Sequence, residues 1–146
     1  MNTCLFCRIA RKEIGSVIIH EDEELLAFLD TAPIRPGHTL IVPKRHFDSF
    51  EVLPSELAAQ ILTLGQQLAR RMKVVYALER VGFAFTGTDV AHTHAHVVPI
   101  HQRGDITSAR YIVGPTEAVF DSKHLEVDHA TLERAREQLG FSRDSA

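Results

Sequence analysis

The segment AHTHAHVVPIH, residues 91–101, holds four of the chain's nine histidines. Three of them, His92, His94 and His96, occupy alternate positions. A β-strand sends alternate side chains to one side at about 6.6–6.8 Å per pair. As a strand, the segment therefore lines up three imidazoles on one face and Thr93, Ala95 and Val97 on the other. The second face is small and apolar, suited to lying beneath a helix. The first is costly to bury, and its rings repel one another when protonated. Such a row points to a partner, either a metal ion or an anion. For His94 and His96 the anion fits better, because neutral imidazole is a nucleophile near neutral pH and its protonated form donates to phosphate oxygens. If His94 attacks phosphorus, His96 is placed to hydrogen-bond a phosphoryl oxygen or the leaving group.

The rest of the chain supplies the frame for that row. At 146 residues it is expected to form one domain with a substantial core. SVIIHEDEELLAFLDTAP reads as a short strand, a charged turn at residues 21–24 and a second strand over Leu25 to Leu29, a hairpin. Pro33, Pro36 and Gly37 interrupt the chain before HTLIVPK, an apolar β-branched run that stops at Pro43. Between Pro54 and Glu79 the apolar period becomes helical, through Leu57, Ile61, Leu64, Leu68 and Met72, with Ser55 near the start and Gly82 expected to end it. FAFTG then leads through a turn at Gly87 and Thr88 into the histidine segment. Near the C-terminus, DHATLERAREQLG suggests a short helix with Asp128 as N-cap and Gly140 as stop.

Sixteen basic against nineteen acidic residues give a net charge of −3, which is no nucleic-acid footprint. No apolar run reaches the roughly 18 residues of a membrane span, and the N-terminus lacks the basic-then-apolar order of a secretory leader, so a cytoplasmic protein is expected. In that compartment the C-x-x-C of Cys4 and Cys7 reads as a metal or redox pair rather than a structural disulfide.

HTHAHVV fits the pattern His-x-His-x-His-x-x and resembles the signature of the histidine triad (HIT) superfamily. CLFCRIARKEIGSVIIHEDEELLAFLDTAPIRPGHTLIVPKRH, residues 4–46, is similar almost segment by segment to the N-terminal half of that family, so the likeness covers about residues 4–100 and leaves about 104–146 as a C-terminal extension. The resemblance implies an α+β domain with an antiparallel sheet of about five strands, one long helix, and a two-fold dimer whose sheet runs on to ten strands. It implies hydrolase or transferase chemistry at the α-phosphate of nucleotidyl compounds such as dinucleoside polyphosphates or nucleoside phosphoramidates. Carried over, His94 is the nucleophile and forms a nucleotidyl-histidine, and His96 contacts phosphate. Phe6, Ile9, Phe28 and Leu29 match base-pocket positions, and Asp30 matches the acid that binds the ribose hydroxyls. Relatives with the N-terminal cysteines also imply a structural zinc held by Cys4, Cys7, His46 and the first triad residue, His92.

The match breaks in the loop before the triad. GFAFTGTDVAH carries Thr88 where family members have glutamine, and is too short for their asparagine, so Thr88 and Asp89 are expected to take over the phosphate contacts. After Pro99, His101 and Arg103 stand where an arginine often lies, either near phosphate or as exposed loop residues. The altered loop keeps two other classes in view: a nucleotide-binding regulatory module with weak turnover, and a zinc-binding interaction protein.

Overall fold

A computed structural model describes residues 4–87, 89–106 and 125–140, together with the backbone of 112–113 and 119–120. Five strands form one antiparallel sheet in the order β1-β2-β3-β5-β4: β1 (Ile18–Glu21), β2 (Leu25–Leu29), β3 (Thr39–Pro43), β4 (Arg80–Phe85) and β5 (Ala95–Ile100). Helix α1 (Leu5–Ala10) precedes the sheet, α2 (Ser55–Val75) lies across it, and α3 (His129–Leu139) closes the described chain. Strands β6 (Ile112–Val113) and β7 (Val119–Phe120) pair separately. The Thr88 expected at the phosphates lies outside the described residues.

Period-two alternation divides the sheet into two faces. Leu25, Ala27, Leu29, Ile41, Ala95 and Val97 pack against Leu57, Ile61, Leu64, Leu68 and Met72 of α2 in the main core. Leu26, Phe28, Leu40 and Val42 face the other way and are covered by Phe6 and Ile9 of α1. Register carries this across the sheet: Phe28 pairs with Leu40, Leu40 with His96, and His96 with Ala84. His96 thus shares the α1 face. Ala95 and Val97 lie under α2, as the alternation requires.

The hairpin, the strand ending at Pro43 and the long helix form where the sequence places them. The C-terminal helix has both expected ends: the Asp128 side chain accepts from the Thr131 N–H, and Gly140 adopts a left-handed φ of 63°. Two expectations need correction. Gly82 does not end α2. That helix stops at Val75, with Ala77 at φ 51° and the Leu78 N–H bonded back to the Lys73 carbonyl at 3.0 Å, a left-handed C-terminal turn made without glycine. Gly82 instead sits within β4, where a Cβ would collide with Ile106 Cδ1. The second correction is α1 itself: the C-x-x-C opens a helix, with Cys4 as N-cap, where the linear pattern gave only two cysteines.

Candidate active site

The triad does not lie wholly in a strand. β5 begins at Ala95, so only His96 has a ladder position, while His92 and His94 run in the segment ahead of it. That segment is pinned by the Thr93 N–H to the Phe47 carbonyl at 2.7 Å and the His92 N–H to the Val90 carbonyl at 2.8 Å. The imidazoles still gather on one side. The rings of His94 and His96 are 4.9 Å apart, and the Phe6 ring meets those of His92 and His94 edge-on at 5.8 and 5.1 Å.

Hydrogen bonds fix which nitrogen of each ring carries the proton. His94 Nδ1 lies 2.7 Å from the His92 carbonyl oxygen, and a carbonyl can only accept. His94 Nδ1 is therefore protonated, and in the neutral ring the lone pair falls on Nε2. The next ring is set from farther away. The Ile34 N–H donates to His38 Nδ1 at 3.2 Å, so His38 carries its proton on Nε2 and donates it to His96 Nδ1 at 2.9 Å. His96 then has its own proton on Nε2, pointed at Thr86 Oγ1 2.9 Å away. A lone pair at His94 and an N–H donor at His96 are thus presented side by side.

Burial keeps this chain neutral. His38, held almost out of water with His94 nearby, has its pKa lowered to about 3, and desolvation together with His38 lowers His96 to about 4. Asp30 shifts the other way: burial raises its pKa, against the pull of the Ala32 N–H bonded to it. Asp30 lies 3.7 Å from His38 Nδ1. The group Asp30, His38 and His96 is compact enough to suggest a metal. The hydrogen bond between His38 and His96 occupies the nitrogens an ion would need, so the group reads as a proton-ordering chain. His38 is the functional residue that linear reasoning missed; 58 positions separate it from His96.

Of the residues expected around a base, Phe6, Ile9 and Phe28 belong to one buried cluster on the triad side, with the Phe6 and Phe28 rings 5.6 Å apart. Leu29 does not. It is 1% exposed in the core beneath α2, on the opposite face from Phe28, because consecutive strand residues point apart. Asp89 is exposed and acts electrostatically on both Asp30 and His96. His101 and Arg103 lie exposed beyond β5; the His101 N–H donates to Asp105, and its ring lies 6.4 Å from that of Tyr76.

Cys4, Cys7, His46 and His92 converge at the other end of the row, their ligand atoms all within 4.8 Å of one another. His92 Nδ1 lies 3.3 Å from Cys4 Sγ, 3.5 Å from Cys7 Sγ and 3.2 Å from His46 Nδ1, and Cys7 Sγ lies 3.4 Å from His46 Nδ1. Tetrahedral zinc with bonds of about 2.0–2.3 Å separates its ligands by roughly 3.3–3.8 Å. The tautomers fit as well. His92 Nε2–H donates to the Pro43 carbonyl at 2.9 Å and His46 Nε2–H to Asp48 at 2.8 Å. Both Nδ1 lone pairs are thereby turned toward the same point, an arrangement that repels unless a cation lies between them. The four residues fit a metal.

The chain matches the HIT domain family over residues 11–103. It is 34% identical over 109 residues to an uncharacterised HIT-like protein of Methanocaldococcus jannaschii, covering 68% of this chain and 80% of the relative. Among solved structures it is similar to a zinc-bound histidine triad family protein of Mycobacterium smegmatis, at 28% identity and TM-score 0.67, over 94% of this chain and 96% of that one. A HIT family hydrolase of Legionella pneumophila is 33% identical with TM-score 0.56, over 68% of this chain and 95% of the other. With an N-terminal half, a triad and a sheet topology that all agree, this chain belongs to the HIT domain family.

Proposed function

We propose that the protein is a nucleotide hydrolase or nucleotidyl transferase acting at the α-phosphate of a nucleotidyl substrate, such as a dinucleoside polyphosphate or nucleoside phosphoramidate. The observation that carries this reading is the 2.7 Å bond from His94 Nδ1–H to the His92 carbonyl, which leaves the Nε2 lone pair for attack. His94 Nε2 forms a bond to phosphorus while the bond to the leaving group breaks, and the departing group takes a proton from water. Water then attacks phosphorus, the P–N bond to His94 breaks, and the spare proton returns to solvent. Throughout, His96 Nε2–H donates to the charge developing on phosphoryl oxygen, held in that tautomer by His38. Phe6, Ile9 and Phe28 supply an apolar wall for a base, and Asp30 accepts from ribose hydroxyls.

In this reading Cys4, Cys7, His46 and His92 hold a structural zinc ion, supported by the converging lone pairs and by the zinc-bound relative. When bound, the ion supplies rigidity beside His94. A cytoplasmic homodimer joined along β4, the outer strand on its side of the sheet, completes the proposal. Among the described residues no helix is long and apolar enough to cross a membrane.

The test is to incubate the protein with an adenosine 5′-phosphoramidate labelled in the AMP moiety, quench in alkali and look for acid-labile label on His94. Wild type should carry it and His94→Ala should not. Turnover without any labelled intermediate, or label persisting in His94→Ala, would rule the mechanism out.

A further inference from the structure

His38 sets the tautomer of His96, yet the β3–β5 ladder does not reach it. That ladder runs through Ile41–Ala95 and Leu40–His96 and stops at Thr39–Val97. His38 stands one residue beyond, after Pro36 and a Gly37 at φ 92°. Its carbonyl accepts from the Asp30 N–H at 2.9 Å on the β2 side, and its own N–H returns to the Arg35 carbonyl at 3.0 Å. Its Nδ1 takes the Ile34 N–H at 3.2 Å. The proton on His38, and through it the proton on His96, therefore depends on where the backbone of residues 34 and 35 lies.

Arg35 holds that backbone from outside the ladder. Its Nε donates to Asp105 Oδ2 at 3.0 Å and its Nη2 lies 2.9 Å from Oδ1, across 70 positions of sequence. Asp105 is fully buried, and Oδ2 also accepts the His101 and Gln102 N–H groups at 2.7 and 2.9 Å, in the turn that follows β5. Among the described residues Oδ1 has no aligned hydrogen bond and is held by guanidinium charge. The pair thus joins the end of the strand that carries His96 to the loop that carries Ile34 and His38. Ladder on one side and ion pair on the other bracket the 2.9 Å bond between the two rings. A guanidinium that meets both carboxylate oxygens fixes direction as well as distance, which a lysine ammonium does not.

We infer that Arg35 and Asp105 are positioning residues for the nucleotidyl-transfer step, an inference that rests on the α-phosphate reading above. The pair locks residues 34–38 so that the Ile34 N–H orders His38 and His38 orders His96. Neither residue belongs to the triad. Without the pair the loop shifts, the Ile34 N–H no longer selects one His38 nitrogen, and His96 divides between two tautomers, of which only one offers the substrate a donor.

The double variant Arg35→Gln with Asp105→Asn removes the ion pair without leaving a buried charge unpaired, and keeps an acceptor for the two N–H groups of the turn. NMR of isotope-labelled imidazole nitrogens reads the tautomers directly, at neutral pH and without substrate. Wild type should show His96 protonated at Nε2 and bare at Nδ1. The double variant, folded by its amide spectrum, should show the two ring nitrogens of His96 drawn toward a common shift. With an adenosine 5′-phosphoramidate, kcat should fall about tenfold or more while KM changes by less than about threefold. Arg35→Lys, which keeps a charge beside Asp105, serves if the double variant does not fold: it should move His96 in the same direction and lower kcat by a smaller factor. A folded variant that retains the wild-type His96 tautomer overturns the proposal, and so does an averaged tautomer with unchanged kcat. If wild type does not turn the compound over and no label reaches His94, the hydrolase reading falls and this role with it; wild-type turnover with His96 unmoved in the folded variant removes this inference alone.

Discussion

Replacing His38 by glutamine tests the proton-ordering chain through stability alone. Glutamine retains a donor and an acceptor but cannot titrate. In the folded protein His38 stays neutral down to about pH 3, whereas an unfolded histidine has its ordinary pKa of about 6.5. Below about 6.5 the unfolded state therefore binds more protons, and stability must fall as pH falls, until the folded group protonates near 3. Between about pH 7.5 and about pH 5.0 this linkage costs roughly 2 kcal/mol for one such histidine. His96, held at about 4, contributes a similar loss over the same interval. At the lower of those pH values neither ring is protonated in the folded state, so their mutual repulsion does not complicate the sum. Urea unfolding of both proteins at the two pH values gives the comparison. The acid-induced loss should be smaller in His38→Gln than in wild type by at least about 2 kcal/mol, because His96 also loses the neighbour that helps hold its pKa down, while contributions from titrating groups away from this pair cancel in the difference. If the two proteins lose stability equally on acidification, His38 is not a buried neutral ring and the assignment of the His96 proton fails with it.

Metal analysis of the purified protein should find one zinc ion per chain, reduced to background in Cys4→Ser and in His46→Asn, with chelation lowering the melting temperature. A site that forms only on folding is expected to contribute several kcal/mol, at least about 3, so a melt unmoved by chelator would count against it. At the end of α2, Ala77 is exposed at φ 51°, a conformation that glycine adopts without strain. Ala77→Gly should raise stability by about 0.5–1 kcal/mol in denaturant titration, because no packing is lost there. A destabilised variant would mean that the left-handed turn is not what ends the helix.

Local pattern carried the parts of this protein in which neighbours in sequence are neighbours in space. The alternation of His92, Thr93, His94, Ala95 and His96 separates chemistry from core because a two-residue period needs no knowledge of the fold, and the spacing of Leu57, Ile61, Leu64, Leu68 and Met72 makes α2 for the same reason. The same parity argument already separates Leu29 from Phe28, and only the family resemblance placed them together. The Asp128 and Gly140 signals held because a helix cap involves residues within a single turn.

Tertiary structure decided what depends on distant segments and on open alternatives in backbone shape. Nothing near His38 in the chain marks it out, yet the pairing of β3 with β5 carries it to His96 and gives that ring its tautomer. The same sheet brings His46 and His92 to the cysteines at the start of α1, making four separate residues into one metal-shaped cluster. Gly82 looked like a helix stop because glycine breaks helices, but its use is to admit Ile106 against β4. Composition and period thus fix which groups are available and which side they take. Proton placement and ligand convergence arise only when strand pairing has set the distances, since each depends on atoms a few ångströms apart in space and tens of residues apart in the chain.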